Sequence, residues 1–112
     1  MVKKNITNSV IISSDHAGYN LKKRIKTHLG KKKFKVIDYG PHSDFSVDYP
    51  DFAKKLAKKI SSKNYGILIC GTGIGMSIAA NRYKKVRASL VFNVKTAKLA
   101  REHNNSNVLV LG

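Results

Sequence analysis

Gly71-Thr72-Gly73-Ile74-Gly75 is the stretch of this chain whose spacing speaks most directly of chemistry. Glycine at every second position lets the backbone approach a ligand closely and turn its N–H groups inward. A helix beginning directly afterwards adds a partial positive charge. Such a loop is an anion cradle. It is not the dinucleotide fingerprint, because Met76 stands where the third glycine belongs and the loop follows the third candidate strand, not the first. Nor does a Gly-Lys-Ser/Thr follow, which separates it from a P-loop. Glycines also gather in turns merely for tight packing, so the loop alone leaves both readings open.

Cys70 sharpens the case. A lone cysteine flanked by apolar strand residues is often inert core. This one closes the run Ile67-Leu68-Ile69 and adjoins the cradle, where amide dipoles favour negative charge on sulfur. A thiolate beside an oxyanion-stabilising loop can remove a proton α to a carbonyl while the loop holds the enediolate. Asp15-His16 follows the first strand and belongs at the same edge as Cys70, although Asp15 could equally cap a helix and His16 be a plain surface residue. His103-Asn104 emerges between the fourth helix and the fifth strand. His16, His103 and Cys70 show no C-x-x-C or H-x-x-x-H spacing, so neither a metal nor a cofactor is expected.

These residues need a scaffold that alternates strand and helix. Ser9–Ser14 is an apolar run that ends in Asp15-His16-Ala17-Gly18. Leu21, Ile25 and Leu29 then form a helical stripe, closed by Gly30. Lys35–Tyr39 reads as a second strand, ended by Gly40-Pro41, and His42–Asp48 as a polar loop. Pro50 suits the first turn of a helix whose buried face is Phe52, Ala53, Leu56, Ala57 and Ile60. Ile67–Cys70 reads as a strand buried on both faces. A small-residue helix follows over Met76–Lys84, then a strand over Val86–Phe92, and then Asn93 as cap of a helix over Val94–His103. The last strand is Val108–Leu111. This pattern predicts an α/β fold, a doubly wound, Rossmann-like α/β/α sandwich on a five-stranded parallel sheet. Ligands of such a fold bind at the carboxyl ends of the strands.

Composition narrows the class. The 112 residues suit one domain, and an apolar fraction of 42% suffices for a core. No stretch approaches the roughly 18 apolar residues of a membrane span. The start, Met1-Val2-Lys3-Lys4-Asn5, leads only to the short run Val10-Ile11-Ile12, too short for a signal peptide's apolar core. One cysteine forbids an internal disulfide and fits a reducing cytoplasm. The net charge of +16 is mostly lysine and falls in nearly every segment, as solvated bias does. Nucleic acid is therefore not an expected partner, while the charge would steer phosphorylated ligands inward.

Four motifs in order, Ser14-Asp15-His16-Ala17-Gly18, Asp48-Tyr49-Pro50, Gly66 through Asn81, and His103 through Leu109, resemble the ribose-5-phosphate isomerase B and galactose-6-phosphate isomerase family from about Val10 to Gly112. The resemblance implies an aldose–ketose isomerase that interconverts ribose 5-phosphate and ribulose 5-phosphate, a step of the pentose phosphate pathway, without cofactor. It implies that Cys70 moves the proton between C1 and C2. The backbone of Gly71, Gly73, Ile74, Gly75 and Met76 would hold the enediolate, with Thr72 assisting. Asp15 and His103 match positions implicated in opening the furanose ring, His16 and Asn104 match sugar or phosphate contacts, and Tyr49 lines the pocket. A homodimer, or a dimer of dimers with shared active sites, is implied as well, with His103 and Asn104 supplied by the neighbour. The alternatives are a galactose-6-phosphate isomerase subunit and a non-catalytic sugar-phosphate-binding relative.

Residues 1–112 are thus expected to form a single sugar-phosphate isomerase domain, C-terminally short relative to the family. Family chains usually continue past the fifth strand into an arginine and a helix whose further arginines grip the phosphate. Arg24, Arg82, Arg87 and Arg101 do not follow the fifth strand, and Arg82 and Arg87 flank a turn at the opposite end of the sheet. Weak phosphate binding by these 112 residues alone is the expectation, since a guanidinium pairs two phosphate oxygens in a way that lysine does not copy.

Overall fold

The structure, a computed structural model, describes residues 9–112. The polar start Met1–Asn5 lies outside the described residues. Among the described residues nine elements alternate: β1 (Ser9–Ser14), α1 (Tyr19–Lys31), β2 (Lys35–Asp38), α2 (Tyr49–Ala57), β3 (Tyr65–Ile69), α3 (Ile74–Ala80), β4 (Ala88–Leu90), α4 (Val94–Asn104) and β5 (Val108–Leu111). The strands form one parallel sheet in the order β2-β1-β3-β5-β4. The chain leaves β1 in one direction to form β2 and returns to pair β3 on the other side of β1. That reversal opens a crevice between the carboxyl ends of β1 and β3, the place where such sheets bind ligands.

Alternate strand residues feed two cores. Ile11, Leu68, Val108 and Val110 face α2 and α3, where Ala53, Leu56, Met76 and Ala80 are fully buried. Val10, Ile12, Ile67 and Ile69 face the other side, covered in part by Ile25 and Leu29 of α1. α4 completes that second layer loosely, with none of its residues buried. Among the described residues no helix is long and apolar enough to cross a membrane.

Several boundaries differ from those expected, and two of them for a clear polar reason. The third helix stops at Ala80 and not Lys84, because the Asn81 side chain pairs with both the N–H and the carbonyl of Ala88, at 2.8 and 2.9 Å, and turns the chain there. The fourth strand shortens to Ala88–Leu90, since the N–H groups of Val86 and Arg87 go to Tyr83 O and the Asn107 side chain instead of to a ladder.

One feature escapes any hydrophobic pattern. Lys22 is 1% exposed, and its Nζ donates to both carboxylate oxygens of Asp38 and, at 2.6 Å, to the carbonyl of Pro41. Asp38 in turn accepts from Lys26 Nζ at 2.8 Å and from the Gly40 N–H at 2.7 Å. Burial alone would raise the Asp38 pKa; the hydrogen bonds from Lys22, Lys26 and Gly40 overcome it and hold the carboxyl below its usual range. The Gly40 carbonyl accepts from Ser13 Oγ at 2.8 Å and from the Ser14 N–H at 3.1 Å. The loop after β2 is thereby tied to the carboxyl end of β1.

Candidate active site

Cys70 follows β3 directly and is 7% exposed, at the margin of the core that contains Met76 and Leu68. Its Sγ accepts the N–H of Gly73 at 3.0 Å. That N–H can point back at the sulfur because Gly73 adopts φ 80°, a left-handed conformation that costs a side-chain-bearing residue about 1 kcal/mol or more. A Cβ at Gly73 would also run into Leu90 and, at 3.1 Å, the backbone of Leu111. The loop is thus shaped by the ends of β4 and β5, and the shape gives Cys70 an amide dipole aimed at its sulfur.

The next turn brings Tyr49 over the loop. A Cβ on Gly75 would stand 2.7 Å from Cζ of Tyr49, so only glycine lets that ring lie against the start of α3. Tyr49 remains partly exposed, as do Gly71, Thr72 and Ile74 around it. The Thr72 Oγ1 accepts the Ile74 N–H at 3.2 Å, which shapes the loop internally. Met76 is different: its side chain is fully buried against the sheet, so only its backbone can face a ligand.

Asp15 and His16 lie across the crevice. The Asp15 N–H donates to Ile69 O at 3.0 Å, which fixes this turn beside Cys70, and Oδ1 of Asp15 accepts from the Gly18 N–H at 2.9 Å. That bond braces the turn ahead of α1, whose N-cap is Gly18 with no side-chain cap, so Asp15 is not the helix cap. The Nδ1 of His16 accepts the Val47 N–H at 3.2 Å, which leaves the neutral ring its proton on Nε2 and links the loop ahead of Tyr49 to the end of β1.

One chain thus brings Cys70, Gly71, Thr72, Gly73, Ile74, Gly75, Tyr49, Asp15 and His16 to one edge of the sheet. His103 and Asn104 are not among them. Both are exposed at the end of α4, just before β5 begins, and so stand at the opposite, amino edge. Lys22 and Asp38, which brace the loop after β2, were invisible to motif reading. The signal available was an Asp two residues before Gly40, and nothing local pointed to its partner.

The ribose/galactose isomerase family model matches residues 10–112. The crystal structure of ribose-5-phosphate isomerase B from Mycoplasma genitalium with bound ribulose 5-phosphate superposes with a TM-score of 0.88 at 53% identity, over 93% of this chain and 71% of that one. The Anaplasma phagocytophilum ribose 5-phosphate isomerase B gives a TM-score of 0.92 at 45% identity, over 98% and 77%. Escherichia coli ribose-5-phosphate isomerase B is 41% identical over 105 residues, which are 92% of this chain and 70% of that protein.

Proposed function

The chain belongs to the ribose/galactose isomerase family and is an isomerase; from that premise we propose that it interconverts ribose 5-phosphate and ribulose 5-phosphate through an enediolate, with Cys70 as the base. The observation that carries this reading is the Cys70 sulfur receiving the Gly73 N–H at 3.0 Å, beside an exposed glycine loop at the switch point of the sheet. In the forward direction the thiolate takes the proton from C2 of the open-chain aldose. The electron pair moves onto the carbonyl oxygen, beside the loop N–H groups that neither Cys70 nor Thr72 engages, and the thiol returns the proton to C1. A second proton passes from the C2 hydroxyl to the C1 oxygen as the first moves from C2 to C1, so the step balances without an oxidant or reductant. Thr72 assists at the oxyanion, His16 contacts hydroxyl or phosphate, and the Tyr49 ring walls the pocket.

Residues 1–112 act as one sugar-phosphate isomerase domain in this reading, and a second copy completes the site. His103 and Asn104 stand at the far edge of the sheet from Cys70, so within one chain they cannot share a substrate with it. A neighbouring copy can deliver them, His103 with Asp15 to open the furanose ring and Asn104 to hold the sugar. Large apolar side chains support such an assembly: Ile74 and Ile78 stand one turn apart on α3 at 54% and 64% exposure, and Phe92 and Val94 flank the start of α4 at 79% and 76%. A lone unpaired cysteine at the centre of the chemistry suits the cytoplasm.

The test is Cys70→Ala, assayed on ribose 5-phosphate alongside sedimentation of the same sample. Loss of about 10²–10⁴-fold in kcat with folding and assembly intact is expected of a general base. Retention of more than about a tenth of wild-type kcat would contradict the assignment.

A further inference from the structure

We propose that Arg87 is a positioning residue for the ring-opening half of the site: its guanidinium holds the last turn of α4, and with it His103 and Asn104, where they can reach the substrate. The inference rests on the reading of His103 and Asn104 given above. It starts from the way α4 is attached. None of its residues is buried, so packing does not fix the helix, and its ends must do so. The first turn is held by Asn93, whose Oδ1 accepts the Thr96 N–H at 2.8 Å.

The last carbonyls of a helix have no donor of their own. Here Nε of Arg87 donates to the Asn104 carbonyl at 2.8 Å, across a gap of seventeen positions in the chain. Asn105 then takes φ 53° and ends the helix. The backbone of Arg87 is tied to the same loop. Its N–H donates to Oδ1 of Asn107 at 2.8 Å, and its carbonyl accepts from the Asn107 N–H at 3.0 Å and from Ser106 Oγ at 2.9 Å. The Nδ2 of Asn107 closes the frame on the Lys85 carbonyl at 2.8 Å. Arg87 is therefore rigidly based and meets α4 at the residue next to His103. A lysine carries the charge but lacks the planar N–H fork that makes this contact from a fixed base. Arg101 is less suited to the role, because its Nη1 bonds Ser106 O, beyond the bend at Asn105.

The experiment compares wild type, Arg87→Gln, Arg87→Lys, His103→Ala and the double variant Arg87→Gln/His103→Ala. For each, kcat is measured at saturating ribose 5-phosphate and at saturating ribulose 5-phosphate, with thermal melts as control. Ring opening precedes proton transfer only for the aldose, so His103→Ala lowers kcat more for ribose 5-phosphate. Arg87→Gln and Arg87→Lys both reproduce that asymmetry at about threefold to tenfold, the size of one hydrogen bond. The double variant is no worse than His103→Ala alone within about twofold, because Arg87 acts through the residue already removed. Equal losses in both directions, full rescue by Arg87→Lys, or multiplicative losses in the double variant would overturn the proposal. A symmetric loss in His103→Ala itself would overturn the ring-opening reading beneath it. Should Arg87→Gln fail to fold, Arg87→Lys, alone and combined with His103→Ala, decides between the same outcomes.

Discussion

Cys70 and His103 stand at opposite edges of one sheet, held by different physics. Cys70 is 7% exposed, joined to the main core, and its loop is moulded by Leu90, Leu111 and the Tyr49 ring. His103 ends a helix without a buried residue, held at its first turn by Asn93 and at its last by Arg87. Packing resists small displacements steeply, because an interior as dense as an organic crystal has no slack. Exposed hydrogen bonds each contribute only ~1 kcal/mol and exchange with water. The sulfur proposed as the base, which would have to meet a carbon-bound proton within a fraction of an ångström, is thus set by packing. The residues expected to work on the ring are set by bonds that a second copy can still adjust.

Substitutions at the two ends put this contrast to the test. Gly73→Ala strikes the packed end, where its Cβ would meet Leu90 and the Leu111 backbone at a positive φ. A loss of about 2–5 kcal/mol is expected from left-handed strain plus overpacking, read from the urea midpoint. A cost under about 1 kcal/mol would mean that the loop is softer than its contacts imply.

Lys22→Met removes the buried ammonium and leaves Asp38 with Lys26 and the Gly40 N–H, at a cost of ~3 kcal/mol near neutral pH. Because the folded Asp38 pKa lies below its unfolded value, the stability it contributes is present above the unfolded value of about 4 and is lost as pH falls through the folded one. The stability gap between wild type and Lys22→Met should therefore be widest above about pH 5 and narrow toward about pH 3. A gap that does not change with pH would assign the loss to packing alone.

Asn93→Ala gives the smallest effect. Loss of the cap costs ~1 kcal/mol at most. It should lower kcat on ribose 5-phosphate by about twofold while sparing the chemistry at Cys70. A larger loss in the ribulose 5-phosphate direction would mean that α4 also supports the base, and the contrast between the two ends would fail.

The same contrast separates what was legible in the sequence from what was not. Strand and helix alternation, the glycine loop, the cysteine at its start and the Asn93 cap are local patterns, and β1 and β5 stand where they were expected. Lys22 looks in the sequence like any member of Lys22-Lys23-Arg24; its burial depends on Asp38, sixteen positions away. Arg87 meets Asn104 only after α4 has formed, and Asn81 ends α3 by reaching Ala88 across a turn. Met76 illustrates the reverse case, a residue read as part of the glycine-loop site whose side chain belongs to the core. Polar pairs at long separation have no periodicity, so no window of sequence reveals them.

Proton transfer between adjacent carbons of a sugar phosphate is tested most directly by turnover of ribose 5-phosphate in deuterium oxide, with the product read by NMR at early times. Ribulose 5-phosphate with carbon-bound deuterium at C1 is expected, because the proton held by Cys70 can exchange with solvent before it is returned. No turnover, or turnover that leaves C1 free of deuterium as a direct hydride shift would, contradicts a cysteine base working through an enediolate.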